Sequence, residues 1–461
     1  MADRADLCKS LPPWPLGSTL PAVPERRAPT ALSALSERPD TRDAAREVAT
    51  ALRGGMIVRP DLLVVFGSFH HRALFSDALD ILRAELHPAH LLASTARAVI
   101  GAAVHDGRAS PAVGVEGRAA LGALALSLPG VVAKPFSFDI VDGPPAVWSP
   151  EFVRSRVALP PDVSDAFGPL SHAGTLLVAD PFSIHAGLAA AAIDEAAGAG
   201  GARIVGALAS GASHAGLNVL AADRRVAHMG LVGLSLFGDL SLDIVHAQGT
   251  RAVGRPLVVT RAKGSEISEL GGRPALEVTQ EVFLSLDDHD RALFSRGVLV
   301  GVALDASRPR LGRGDFLVRP LRAVDEARRS LLLGDAIQTG ATVQFHLDDP
   351  DAAADDLSML LDAEALREPP VAALVFHGNR VAPAAGDGPE AHDAADGRAP
   401  VVPVLATLSR RLGAIPLVGL ESAGELAPLR GKTPLAGRTT AIALFRAGRA
   451  PRARAAPHAS A

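Results

Sequence analysis

Three apolar runs, each followed by a helix-like stretch and then a second apolar run, dominate this sequence. The leading runs are DLLVVF (61–66), TLLVAD (175–180) and VAALVF (371–376). Each is short and continuously apolar, the pattern of a strand buried on both faces. In the first intervening stretch, Phe75, Leu79, Leu82 and Leu86 fall on one helical face before His87-Pro88 stops it. The second, HAGLAAAAIDEAAGAGG, is alanine-rich and ends in a glycine cluster. The third puts Val401, Leu405, Leu408 and Leu412 in register and closes at Gly413. The second apolar runs all dissolve into small residues: HLLASTARAVIG (90–101), GARIVGALASGASHAGLN (201–218) and IPLVGLESAGELAP (415–428). One more alternating run follows each: LGALALSL (121–128), GLVGLSLF (230–237) and TTAIALF (439–445).

Strand–helix–strand implies a parallel pair with a right-handed crossover. The predicted class is therefore α/β, built from repeated strand–helix–strand units in mixed sheets, with the small-residue turns at the carboxyl ends of the strands. Ligands of open α/β sheets bind there. Gly206 and Gly211 can take backbone angles closed to other residues and can admit a close neighbour. Helix packing explains any one such glycine as well. Three turns at equivalent places point to a shared pocket.

The stretch 256–350 is of another type. It reads as a strand, a Gly-Gly turn and a helix entered at Pro274, then the strands GVLVGVAL and ATVQFHL, with LGRGDFLVR between them, and an acid-started helix from Pro350. Residues 1–40 lack periodicity, 383–399 form a polar loop, and the basic tail 447–461 reads as a solvated end.

Chain length and composition bound the function classes. With 461 residues, two or three domains are expected; 48% hydrophobic and 21% charged residues describe a globular chain. A net charge of −4 argues against a chain-wide nucleic-acid surface. Cys8 is the sole cysteine, so no intramolecular disulfide or cysteine metal site is expected. No apolar stretch reaches membrane-spanning length, and the N-terminus has no signal-like apolar region, which makes the cytoplasm the expected location.

Enzyme signatures are missing. There is no GxGxxG after a strand, no GxxxxGK[ST] and no GxSxG, so no nucleotide cofactor or serine nucleophile is expected. His70, His185 and His377 lie near the ends of first strands but lack the spacing of metal ligands. Asp239, Asp243, Asp315, Glu421 and Glu425 are not placed by sequence at an acid–base separation. The expectation is no catalytic residue, metal or cofactor. Charged groups in a small-residue cleft suit a zwitterion: Arg255 or Arg313 for a carboxylate, Glu421 or Glu425 for an ammonium. Gln248, Asn218 and Asn379 supply neutral contacts, and Ser210 a hydroxyl on the flexible turn. Structural hydrogen bonding at turns is the alternative for each.

Several motifs taken in order resemble the FIST family, the paired FIST N and FIST C sensory domains. They are DPFSI (180–184), IVGALASG with Asn218 after it, QGTRAVGRPLVVTRAKG (248–264), LGGRPALEV (270–278), GRGDFLVR (312–319), GATVQFHLDD (340–349) and SAGELAP (422–428). The resemblance implies two domains, FIST N-like over 60–255 and FIST C-like over 256–446, flanked by disordered tails at 1–40 and 447–461, with a cleft between them. It implies a module that binds a small ligand, an amino acid or related metabolite, rather than an enzyme. Its ligand-binding residues would be Gly206, Ser210, Gly211, Asn218, Gln248, Arg255, Arg313, Asn379, Gly424 and Glu425. The sequence departs from the family at HGNRV, where Gly378 stands in place of a common cysteine and Arg380 in place of a common glycine. No kinase, cyclase or F-box segment accompanies it, so a separate signalling protein is the expected partner. A protein-interaction scaffold with a vestigial cleft is the second reading, and an uncharacterised enzyme the third.

Overall fold

A computed structural model describes residues 28–448, apart from 56–58, 103, 106, 107, 110, 140–147, 166, 167, 199, 309, 313 and 379–401. The repeat seen in the sequence organises it. In each unit the leading run is a central strand: Leu62–Ser68, His172–Ala179 and Ala372–Gly378. Each pairs in parallel with the second run, His90–Ala96, Ile204–Leu208 or Leu417–Ser422. On its other side it pairs antiparallel with the third, Leu121–Ser127, Leu231–Gly238 or Thr440–Ala447. The registers coincide: Phe66, Val178 and Phe376 stand opposite Ser94, Ala207 and Leu420. An extra edge strand precedes each unit, namely Thr30–Ser36, Val131–Phe138 and Leu240–Ala247. The chain thus runs through three copies of one unit, over 30–127, 131–238 and 240–447.

What joins the copies is a cyclic exchange of hairpins. The first unit lends Ala98–Gly101 to the third, against Leu417–Ser422. The third lends Glu425–Leu426 to the second, against Ile204–Leu208. The second lends Leu220–Ala222 to the first, against His90–Ala96. Each exchange completes a six-stranded sheet.

Alternation along the strands decides the layers. Leu62, Val64 and Phe66 point into one central core shared by the three sheets, while Leu63 and Val65 point outward to the helices. Phe66 and Phe376 meet edge to face there, with ring centroids 6.1 Å apart. The outer faces are covered by helices Thr41–Gly55 and Phe75–Leu86, Pro150–Arg154 and Ala186–Ala197, and Pro350–Ala365 and Val402–Leu412. Helix Phe75–Leu86 buries Phe75, Leu79, Leu82 and Leu86 and stops at His87 in the left-handed region, before Pro88. Val401 of the third helical stretch lies outside the described residues.

Residues 250–348 interrupt the third unit and fold as a closed antiparallel barrel. Its six strands run Thr250–Lys263, Thr342–Asp348, Val298–Ala303, Phe316–Asp325, Ser330–Leu333 and Glu266–Leu270, the last pairing back to the first. Closure depends on the long first strand, which slips register between Val253 and Leu257, where Gly254 has φ +66°. The bulge bends one strand enough to serve two neighbours.

Two expectations are corrected. The N-terminal tail does not extend to residue 40: Thr30–Ser36 pairs along its whole length with Leu121–Ser127 and buries Ser33, Ala34 and Ser36. Its small residues carry too little apolar contrast to read as a strand. Residues 1–27 and 449–461, most of the two expected tails, and the loop 383–399 lie outside the described residues. The division near 255 meets a different partition, since strands from both sides of it share two of the sheets. Lent strands of two to four residues, paired with partners more than a hundred positions away, leave no periodic trace in sequence.

Candidate functional site

First and second strands are parallel in every unit, and Arg97, Ser210 and Glu421 at the ends of the three second strands are hydrogen-bonded together, so all six carry their carboxyl ends to one end of the assembly. There the shared core changes character. Ser68, Ser94, Asp180, Asn218, Ser422, Glu425 and Thr439 are buried in place of Leu, Val and Phe. Equivalent backbone bonds hold this end in each unit: Ser68 N–H to Ala120 O at 2.7 Å, Asp180 N–H to Gly230 O at 2.8 Å and Gly378 N–H to Thr439 O at 2.8 Å. Glu425 breaks the symmetry. By register it occupies the position of Leu220 and Val99, which the other units bury in the apolar core.

Three places bring the polar groups together, two of them seams between units and the third, Glu425 and its donors, inside the third unit. At the first, the Ser210 hydroxyl accepts from the Arg97 backbone N–H at 2.9 Å and donates to the Glu421 carbonyl, so that all three units meet on one side chain. At the second, Asn218 Nδ2 donates to Asp180 Oδ1 at 2.8 Å. Beside it, the Val219 N–H donates to Thr95 Oγ1 at 2.9 Å. At the third, Glu425 accepts from the Ser422 hydroxyl and, through Oε2, from Thr439 N–H at 3.1 Å and Thr439 Oγ1 at 2.6 Å. Gly378 makes room for this carboxylate, since a Cβ there would lie 2.7 Å from Glu425 Oε1. A fully buried carboxylate is tolerable only with such donors.

The electrostatics centre on Arg97. Its guanidinium binds Glu116, with Nε 2.9 Å from Oε1, and stands 3.8 Å from Glu421 Oε1. Burial pushes the Glu421 carboxyl up to about 7; Arg97 pulls it down and Glu116 pushes it further up. His377, in register beside Glu421, faces Thr440 with Nδ1 2.9 Å from Oγ1.

The expected ligand residues divide into groups. Ser210, Asn218 and Glu425, with Gly424, gather at the polar end. The Gly424 carbonyl accepts from Leu208 N–H at 2.8 Å and so ties the third unit to the second. Gly211, with φ +93°, turns the chain beside Phe69. Gly206 is bare for a structural reason: a Cβ there would run into the Leu177 carbonyl of the neighbouring strand. Gly419, its counterpart in the third unit, faces Val375 O in the same way. Gln248 is buried at the root of the barrel, its Nε2 donating to Phe316 O at 2.8 Å. Arg255 is exposed on the barrel strand, where its charge helps hold the Glu281 carboxyl below its ordinary value, after the larger effect of the Arg273 hydrogen bond. Arg313 and Asn379 lie outside the described residues.

Sequence reasoning passed over Arg97, Glu116, Asp180, Thr95 and Thr439. Asp180 alone left a signal, an acid closing an apolar run in DPFSI. His70 and His185 are exposed, and among the described residues no three metal-ligating side chains converge. No helix among them is long and apolar enough to cross a membrane.

Comparison with known proteins places the chain. The FIST N domain matches residues 61–273 and the FIST C domain residues 275–428. An uncharacterized protein of Mycobacterium tuberculosis is 33% identical over 422 residues, spanning 89% of this chain and 98% of its own length. An uncharacterized protein of Mycobacterium bovis is 32% identical over 415 residues, spanning 88% and 96%. Among solved structures, a cyanuric acid hydrolase from A. caulinodans aligns over 91% of this chain and 100% of its own, with a TM-score of 0.31 and 11% identity. The polar strand ends thus belong to a chain that two family models, covering most of its length, identify: it is a member of the FIST family of sensory domains.

Proposed function

We propose that this protein is a cytoplasmic sensory module that binds a small molecule, an amino acid or related metabolite, at the polar end of the shared core and signals through a separate protein. The observation that carries this reading is the change from Leu, Val and Phe to Ser, Asp, Asn and Glu where the strand ends of three units converge. Buried polar groups weaken a core unless they do something else, because each must be hydrogen-bonded to avoid a desolvation cost. Here they are contributed by every unit, and Ser210 couples all three. A ligand seated at this end touches the seams between units, so its binding changes how the units are held and what surface they offer a partner.

The reading is one of binding rather than turnover. A metabolite library screened by thermal shift tests it, since a ligand bound only by the native state raises the melting temperature by mass action. The expected result is a stabilising compound whose effect is lost in Ser210→Val. A compound that stabilises Ser210→Val and parent alike places the ligand elsewhere. Product appearing during incubation with the stabilising compound supports an enzyme instead.

A further inference from the structure

One carboxyl at this end is left short of a donor. Glu421 is 4% exposed, and its Oε1 has no hydrogen-bond partner. The nearest cation, Arg97, stands 3.8 Å away at Nε, beyond hydrogen-bond reach, because its guanidinium is turned to Glu116. Ser210 does not help, since its hydroxyl is spent on the Glu421 carbonyl. On the opposite face of the sheets, that of Leu220 and Leu420 rather than of Leu417 and Glu421, Asn218 repeats the situation. Its amide nitrogen is committed to Asp180, and its buried Oδ1 is unpartnered. The Glu421 oxygen, a buried acceptor, calls for a donor that the described residues do not supply.

We propose that Glu421 is the subsite for a protonated amine, so that the ligand is a small organic ammonium compound. The proposal rests on the ligand-binding reading above and narrows it. An ammonium brings the opposite charge and up to three N–H donors to a carboxylate oxygen that Arg97 does not reach. Arg97 and Glu116 are part-exposed at side-chain accessibilities of 30% and 23%, and form the rim through which it enters. The charged and titratable groups packed around Glu421 are Arg97 and Glu116 from the first unit and His377 from the adjacent strand. Burial keeps the unliganded Glu421 carboxyl protonated up to about pH 7, with Arg97 opposing and Glu116 adding to the shift. A bound ammonium restores the charged form, so binding near pH 6 expels a proton from Glu421, whereas binding at pH 8.5 expels none from it.

The test uses the full chain and paired probes. Free α-amino acids and simple amines are each compared with the N-acetylated derivative, which lacks the positive charge, alongside plain carboxylates and neutral polyols. Thermal shift finds binders; calorimetry in two buffers of different ionisation enthalpy counts protons. The expected result is an amine that binds at least tenfold more tightly than its N-acetyl form. It releases close to one proton at pH 6 and close to none at pH 8.5, and it loses at least tenfold in affinity in Glu421→Gln. The unliganded melting temperature of that variant, no lower than that of the parent, shows that the fold survives. Equal binding of amine and N-acetyl form, or undiminished binding in Glu421→Gln, overturns the proposal. Binding of a carboxylate or polyol in a Ser210-dependent way, with no amine bound, overturns the amine subsite and leaves the ligand-binding reading standing. If nothing binds, both fall.

Discussion

Gly206→Ala separates the two meanings of a bare turn. The added Cβ meets the Leu177 carbonyl oxygen first, then lies 2.9 Å from Leu177 C and 3.1 Å from Leu177 Cβ. The first two of these atoms belong to the backbone of the central strand, which pairs in register with Gly206, so no side chain can swing aside. Relief requires the two strands to part and weakens ladder bonds worth about 1 kcal/mol each. Overpacking of this kind costs about 1–3 kcal/mol. Replacing a strand glycine returns roughly 0.5–1 kcal/mol. The net expectation is a loss of about 2–3 kcal/mol in the ligand-free protein. With an unfolding entropy of ~2 cal/mol/K per residue, a cooperative chain of this size loses ~2–3 °C in melting temperature, measured by calorimetry. Gly419→Ala, against Val375 O, should cost the same. Gly216→Ala serves as the control, because a Cβ there has nothing within 4 Å and meets only the strain of φ +86°. If Gly206→Ala and Gly419→Ala melt with the parent while Gly216→Ala does not, the close approach of backbones does not explain the bare strand ends.

Phe376→Ala should cost about 3–5 kcal/mol, as a fully buried aromatic in the shared core, and a cycle with Phe66→Ala should show a coupling of ~0.5–1.5 kcal/mol; additive losses contradict the central packing. Glu421→Gln should change the pH dependence of stability. The folded carboxyl titrates at about 7 against an ordinary 4.5, so its contribution is full below 4.5 and fades as pH rises through 7. A glutamine does not titrate, so the variant should gain about 3 kcal/mol on the parent between pH 4.5 and 8, and a difference flat in pH would falsify the assignment. Asp315→Asn should loosen the barrel from the third unit, because Asp315 binds Arg308 and Arg430 and accepts from Gly312 N–H at 2.9 Å. Limited proteolysis should then cut within 304–315 faster than in the parent, with unchanged cleavage speaking against a tether.

The threefold repeat was legible because each unit places a continuous apolar run, a helical stretch and an alternating run in fixed order, and each of those has its own period. The exchange of hairpins was not. Glu425–Leu426 and Leu435–Ala436 are two-residue strands, too short for any period to register. The barrel was read only as separate strands. Phe316–Asp325 is buried at one end and exposed at the other, and the bend near Gly254 hides the fact that Thr250–Lys263 is one strand. In the site, Ser210 was found because small residues after a strand mark its end. Glu425 was found as a charge in a turn, yet its place in the apolar core came only from register. Arg97 lies inside STARAVI, where nothing distinguishes it from a surface arginine; its meaning comes from Glu116 and Glu421, 19 positions away in one direction and in another unit in the other.

The converging strand ends of three units are proposed to form the ligand site. A crystal structure of the protein grown with its stabilising compound tests this most directly. The expected density lies at the carboxyl ends of the strands, within hydrogen-bond distance of Glu421 and adjoining Ser210. Density inside the barrel, or between helices Pro350–Ala365 and Val402–Leu412 with the strand ends unchanged, would contradict it.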